Sequence, residues 1–333
     1  MTGLGEGDEI DEIDELVHRA DLDGLIRLID AFGASRQWDR VLAVRDRSRA
    51  ALRTGRQLWP AATLAEYRLA LWAPPEWAAR VLDEESGRFT IGPLTEVAAQ
   101  HHDLASLREH LPDSPRLGFI AHERALRGEQ VPDDVPNPLD LPFALQPWEP
   151  SYTLATYSDA GLEAPTPPLV AGDRFVPIEP SNAPEVDDDA VQLAVRQLFE
   201  PWTAASNGRV EVCCVEGTAA QAVTAHGVRH ASLARLTPSE ALAWLAWAGA
   251  SGGAHGRRRG GAIGRFGAWW LLAALGDMID DWPIDPAELG SLASSLEWSW
   301  WSAHEPHLGW EVRLAIEDPA EGYAWSITAL DTA

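Results

Sequence analysis

No lysine occurs among these 333 residues: all 26 basic side chains are arginine, set against 51 aspartates and glutamates for a formal net charge of -25. That absence removes several chemistries at once. A Walker A phosphate loop, a lysine Schiff base and a kinase-type phosphate lysine all need an ammonium the chain does not have. Cysteine is nearly as scarce. Cys213 and Cys214 are the only two and are adjacent, which leaves neither a disulfide framework nor a cysteine zinc site. Long apolar runs are missing too. The longest, Ala268 to Leu275, is far short of the ~20 residues needed to cross a bilayer. The first sixteen positions hold seven acids and no base, whereas a secretory leader opens with a basic region followed by an apolar one. The expected location is cytoplasmic.

What is present suffices for a folded core. Hydrophobic residues make up 46% of the chain and charged residues 23%, a balance that excludes general disorder. The length predicts two domains. The acid excess repels nucleic-acid phosphates and favours basic partners, and it also serves solubility.

Residues 1–130 read as successive helices. Ile10, Ile13, Leu16 and Val17 share one face, and Leu25, Ile26 and Ile29 repeat the pattern within Asp21–Phe32. Gln37–Thr54 places Trp38, Val41, Val44 and Leu52 on a core side. Pro60 opens a helix with Leu64, Tyr67 and Leu71, which the Pro74-Pro75 pair ends. Further helices are expected at Glu76–Asp83, Leu94–His101 and Pro115–Arg127. Short helices on short connections suggest an irregular helical repeat, although no fixed period supports a named one. Residues 131–190 hold 12 of the 24 prolines and cannot carry regular structure for long. Their Phe143, Trp148, Tyr152, Tyr157 and Phe175 mark a packed strap rather than a free tether.

Residues 191–333 predict an α+β domain, so that the whole chain is α+β with an all-helical N-terminal part. Arg209–Glu216 alternates as a half-buried strand. Thr237-Pro-Ser-Glu240 and Asp285-Pro-Ala-Glu288 introduce helices as capping boxes. Trp310–Glu317 and Tyr323–Leu330 flank the turn Asp318–Gly322 and predict a hairpin. A small antiparallel sheet with helices on one face satisfies this order.

The most unusual segment is Gly249–Gly264, GASGGAHGRRRGGAIG, with seven glycines and with Arg257, Arg258 and Arg259; Arg265 follows it. Glycine permits close backbone approach, helix N-termini favour anions, and arginine forks suit phosphate or carboxylate. These four arginines are therefore the candidate anion site. Equally, they can neutralise acidic neighbours while the glycines allow close helix packing. The arginine run, Gly264-Arg265-Phe266, Trp269-Trp270 and Asp281-Trp282-Pro283, with Leu145-Gln-Pro-Trp-Glu-Pro150, make the latter half to two-thirds of the chain resemble an uncharacterised bacterial protein family of unknown function. The resemblance implies a shared fold and no particular reaction.

Other candidates are weaker. Asp277, Asp280 and Asp281, joined by Asp285, could hold Mg²⁺ against a diphosphate, but a solvated turn with Asp285 as a helix cap explains them better. His226 and His230, and His304 and His307, lack a third ligand. Neither cysteine has an evident base partner. Sixteen tryptophans, ten of them between Trp244 and Trp325, predict a large-residue core. Trp298 and Trp301 cannot both share the face of Leu289, Leu292 and Leu296 with Trp300, so at least one is expected to be exposed for partner binding. Arg45, Arg49, Arg53 and Arg56 form a stripe expected to meet the acidic first helix or a partner.

Together these features predict a non-enzymatic adaptor that binds another protein. No metal site or cofactor is implied, and neither membrane nor nucleic acid is the expected partner. The alternative is an enzyme or sensor for a phosphorylated small molecule or nucleotide at 249–265, and a weaker one is an acidic nucleic-acid mimic.

Overall fold

A computed structural model describes residues 6–82, 91–305 and 309–332. Contacts divide the chain into two compact units. The first is Met1–Pro138 with Thr156–Glu163, and the second is Leu139–Ala155 with Ala164–Ala333.

The first unit is helical. Its elements are α1 (Glu6–Arg19), α2 (Leu22–Ala34), α3 (Trp38–Leu52), α4 (Trp59–Trp72), α5 (Pro75–Leu82), α6 (Leu94–Ala98), α7 (Leu104–Arg108) and α8 (Pro115–Leu126). Local chemistry sets the boundaries. The Asp21 carboxylate accepts the Gly24 N–H at 2.9 Å and caps α2, and Ser114 caps α8 ahead of Pro115. α4 ends at Ala73, where Pro74 forces extended backbone. The α2 stripe Leu25, Ile29 and Phe32 is buried, and α4 packs against α2, α3, α5 and α6, so its own face is the centre of the core. The helix expected at Glu76–Asp83 runs over Pro75–Leu82 instead, and Asp83 lies outside the described residues. The helix expected at Leu94–His101 is one turn shorter. α7 is too short for a periodic signal and rests on its Asp103 cap, which accepts the Ser106 N–H at 2.7 Å. A small hairpin, β1 (Thr156–Ser158) with β2 (Gly161–Glu163), completes this unit.

The second unit contains one six-stranded antiparallel sheet and its helices. In chain order they are β3 (Val176–Pro177), α9 (Asp189–Leu198), α10 (Glu200–Ala204), β4 (Arg209–Glu216), α11 (Ala219–Ala225), β5 (Ser232–Leu236), α12 (Pro238–Ala250), α13 (Gly261–Leu275), α14 (Pro286–Ser295), β6 (Glu297–Ser302), β7 (Trp310–Asp318) and β8 (Tyr323–Asp331). The spatial order is β3-β5-β6-β7-β8-β4. The expected hairpin pairs Ile316 with Trp325 and Asp318 with Tyr323, and both Thr237 and Asp285 cap their helices. Helices cover both faces of the sheet rather than one. Trp300 tilts against Trp244 of α12, with ring centroids 4.7 Å apart. Trp301, next along the strand and so on the opposite face, packs with Ala219 and Val223 of α11.

The two edges of the sheet are treated differently. β3 is two residues long and ends in Pro177. Beside β4, the preceding strap donates the Val186 N–H to the Cys214 carbonyl at 3.0 Å, and the Glu216 N–H donates to the Pro184 carbonyl at 2.9 Å.

Two glycines give contrasting tests of this packing. A Cβ at Gly118 on α8 would strike the Pro136 carbonyl, whereas one at Gly33 on α2 meets nothing within 4 Å. Gly118→Ala is expected to destabilise by ~1–3 kcal/mol through overpacking. Gly33→Ala should instead stabilise by ~0.5–1 kcal/mol, since alanine restricts the unfolded chain and suits a helix interior. Denaturant midpoints of the two variants, moving in opposite directions, check both placements.

Candidate functional site

The arginine–glycine segment is an internal carboxylate trap. Arg265, in the first turns of α13, is wholly buried. Its Nε donates to Glu149 Oε2 and its Nη2 to Glu149 Oε1, each at 2.7 Å, a bidentate fork with both side chains sealed from solvent. The remaining donors reach the carbonyls of Pro142 at 2.8 Å and Ala144 at 3.3 Å. Glu149 also accepts from the Tyr152 hydroxyl at 2.6 Å and the Trp269 indole at 3.0 Å. Burial pushes the Glu149 carboxyl up, but the Arg265 fork, followed by the Tyr152 and Gln146 hydrogen bonds, outweighs it and holds the group below the ordinary carboxylate range. The same surroundings push the Tyr152 phenol well up, burial first and the Glu149 charge second.

The glycine loop before α13 is held in the same way. Asp331, fully buried at the end of β8, takes the Ala254 N–H at 2.6 Å and the Ser206 hydroxyl at 2.9 Å. Ser206 in turn accepts the His255 N–H at 3.1 Å. Gly253, at φ +67, lets the backbone fold tightly over that carboxylate. Among the three consecutive arginines, Arg258 is buried and Arg259 donates to the Gln197 carbonyl at 2.9 Å. Burial lowers the pKa of both Arg257 and Arg259. The cavity that Arg258 and Gly261 line beside Tyr152 and Trp247 has about 10 Å³ of free volume, room for about one water.

The tryptophan expectation is corrected. Trp298 and Trp301 are 1% and 2% exposed. The helix breaks at Leu296, so Trp298 and Trp301 lie on a strand and point to opposite faces, each covered by helices. Their indoles donate to the Ala293 carbonyl at 2.9 Å and the Ile327 carbonyl at 3.1 Å.

Cys213 does have a base beside it: its Sγ lies 3.5 Å from His226 Nδ1. The pair is electrostatically quiet. Burial, then Glu185 and Glu211, push the Cys213 thiol up to about 11, and burial lowers His226, which also bonds Ser326 Oγ at 2.9 Å. A nucleophilic cysteine needs the opposite shift. His230 is exposed and apart from this pair, and His307 lies outside the described residues. No group of three histidine, cysteine or acidic side chains is placed to hold a metal among the described residues, and Asp285 serves α14 as its cap. In the first unit two arginines of the stripe, and one beside it, meet acids. Arg45 and Arg49 converge on the buried Glu66, at 3.2 and 2.5 Å, and Arg47 reaches Asp14 of α1 at 2.7 Å.

A cleft of about 800 Å³ in the second unit was not foreseen. Three segments distant in sequence build it: the N-terminus of α9, the C-terminus of α13 and the β7–β8 turn. They bring Asp187, Asp188, Asp189, Asp277, Asp318 and Glu321 around one opening, with no basic side chain in its lining. Leu292, Cys214, Tyr323 and Trp325 form an apolar, aromatic floor. Asp188 is spent on structure, capping α9 through Val191 and accepting the Trp325 indole at 2.8 Å. Asp187, Asp189, Asp277 and Glu321 are exposed. Each acidic run reads separately as a solvated turn, and only the fold gathers them.

Residues 23–333 match the family described as a family of unknown function, DUF6183, and the chain belongs to that family. No curated protein and no solved structure matches it. No helix among the described residues is long and apolar enough to cross a membrane.

Two measurements follow from the buried groups. Arg265→Met leaves the Glu149 carboxylate buried without its partner and is expected to cost ~3–5 kcal/mol; Arg265→Lys should recover only part, because an ammonium cannot form the planar fork. Because Glu149 titrates low in the folded chain, its contribution is present above the unfolded carboxylate pKa and is lost as pH falls through the folded value. Denaturation curves for Glu149→Gln should therefore show a weaker acid dependence than those of the parent chain. Trp298→Ala and Trp301→Ala should each cost ~3–5 kcal/mol in the same assay, as fully buried tryptophans do.

Proposed function

We propose that this protein acts by binding, and that the acidic cleft of the second unit receives an arginine- or lysine-bearing segment of another protein. The observation that carries this reading is the cleft itself, at about 800 Å³, with carboxylates at its rim and Trp325, Tyr323 and Leu292 at its floor. A concave, partly apolar surface rimmed by one sign of charge suits a chain that alternates cationic and apolar side chains. The floor supplies contact area, and the rim supplies charge-assisted hydrogen bonds and steering. The overall charge of -25 adds attraction at long range.

The alternative, a phosphorylated small molecule or nucleotide at 249–265, has less support. Arg265 is committed to Glu149, and the loop N–H groups of Ala254 and His255 are committed to Asp331 and Ser206.

The test is calorimetric titration with a ten-residue peptide alternating arginine and leucine, beside a control with glutamate for arginine. Only the basic peptide should bind, and its affinity should fall between 50 and 200 mM salt as the Debye length shortens from ~14 to ~7 Å. Combining Asp187→Asn, Asp189→Asn, Asp277→Asn and Glu321→Gln, all exposed positions, should abolish binding without lowering the melting temperature. Equal binding of the two peptides, or binding that survives the fourfold change, defeats the proposal.

A further inference from the structure

The first unit holds its own hairpin in the manner of a receptor holding a peptide. The chain reaches β1 from Ala155 and departs after β2 at Ala164, with both flanks assigned to the second unit. Only the eight residues Thr156–Glu163 belong to the helical unit, where they are gripped mainly by main-chain recognition. The Gln100 side-chain amide accepts the Tyr157 N–H at 2.6 Å and donates to the Tyr157 carbonyl at 2.9 Å, copying the pairing of a neighbouring strand. Tyr67 donates its hydroxyl to the Ser158 carbonyl at 2.7 Å.

Side-chain recognition is added at two points. The buried Tyr157 ring donates its hydroxyl to Glu96, itself fully buried, at 2.5 Å. That ring occupies space left by Gly92, where any Cβ would strike it. Two residues on, Asp159 pairs with Arg68 and accepts the Trp72 indole at 2.9 Å. Beyond Asp159 the surface continues as an unfilled cleft of about 410 Å³, lined by Trp38, Trp72 and Ile29. Trp72 is 44% exposed there, although it is a large hydrophobic side chain. The hairpin thus fills only part of the groove.

We propose that this groove is a peptide-binding site that the chain occupies in cis, and that it accepts in trans a hairpin of a partner protein carrying a tyrosine on its first strand and, two residues later, an acid at its turn. Glu96 and Gly92 select the tyrosine, Arg68 and Trp72 select the acid, and Gln100 and Tyr67 hold any backbone between them. The unfilled cleft beyond Asp159 takes the partner's following apolar residue. The resident hairpin lowers the apparent affinity for that partner by the fraction of time the groove stands open.

The probe is a fluorescein-labelled peptide of residues 153–165, titrated by anisotropy into the full chain. Tyr157→Phe with Asp159→Asn removes the hairpin's hydroxyl and charge while keeping its shape. This variant should bind the peptide at least about tenfold more tightly than the parent chain, in proportion to the released groove. Adding Gly92→Ala should abolish that gain, and a peptide with alanine for its tyrosine should not compete. Hydrogen exchange provides a second measurement on the unaltered chain: saturating peptide should speed exchange at the resident Tyr157 N–H and leave α4 protected. Equal affinity of parent and variant overturns the proposal. So does a variant that self-associates with concentration yet binds no peptide, since its occupant is then a second copy.

Discussion

The second unit is organised around a single ion pair with no access to water. An arginine and a glutamate stripped of solvent are costly to bury, and that cost is offset here only because every part of the pair is used. Arg265 meets two carboxylate oxygens and successive carbonyls of the segment from Pro142 to Ala144, while Glu149 gathers the Tyr152 hydroxyl, the Trp269 indole and the Gln146 N–H. A proline-rich segment cannot supply a ladder of its own. The pair supplies one in its place, tying the strap to α13 and allowing Trp148 to lie against Trp269, with ring centroids 4.8 Å apart. Charge is confined to the inside here so that backbone without regular structure can be positioned as accurately as a strand.

The same economy explains why the arginine run invites a ligand reading. Arginine forks and free loop N–H groups do bind carboxylates in this fold, namely those of Glu149 and Asp331. A chain with about twice as many acids as bases has an ample internal supply of the anion such a site selects. Six acids line the cleft, where the segments carrying Asp187, Asp277 and Glu321 converge. A basic partner of the kind proposed would remove mutual repulsion as well as gain contacts.

Much of the fold was legible because it rests on local rules. Asp285 and Thr237 cap the helices they announce, Pro74 ends α4, and Trp310 to Trp325 alternate into the hairpin that forms. The failures share one cause, which is that periodicity says nothing about what lies opposite. Trp298 and Trp301 read as a helix continued past Leu296, and only a sheet covered on both sides could bury both. Cys213 and His226 are thirteen residues apart and meet through the β4–α11 connection, at a distance no motif prescribes. The cleft was hidden for the same reason: its acids come from three segments whose proximity depends on strand order. The arginine stripe was expected to meet the acidic first helix or a partner; Arg47 beside it does reach Asp14 of α1, but Arg45 and Arg49 turn to the buried Glu66, which gave no polar signal within an apolar helix.

The treatment of the sheet edges bears on how this chain behaves in company. A domain with so many tryptophans in and around its strands is the kind of sequence whose copies add to one another strand by strand, each new molecule templating on the last. Such growth needs a straight, unoccupied border. On one side the border is two residues long and closes with a proline that has no hydrogen to offer. On the other, the Cys214 carbonyl and the Glu216 N–H are already engaged by the strap. A second copy seeking to add a strand therefore meets a proline on one margin and, at the Cys214–Glu216 end of the other, backbone groups that are already paired.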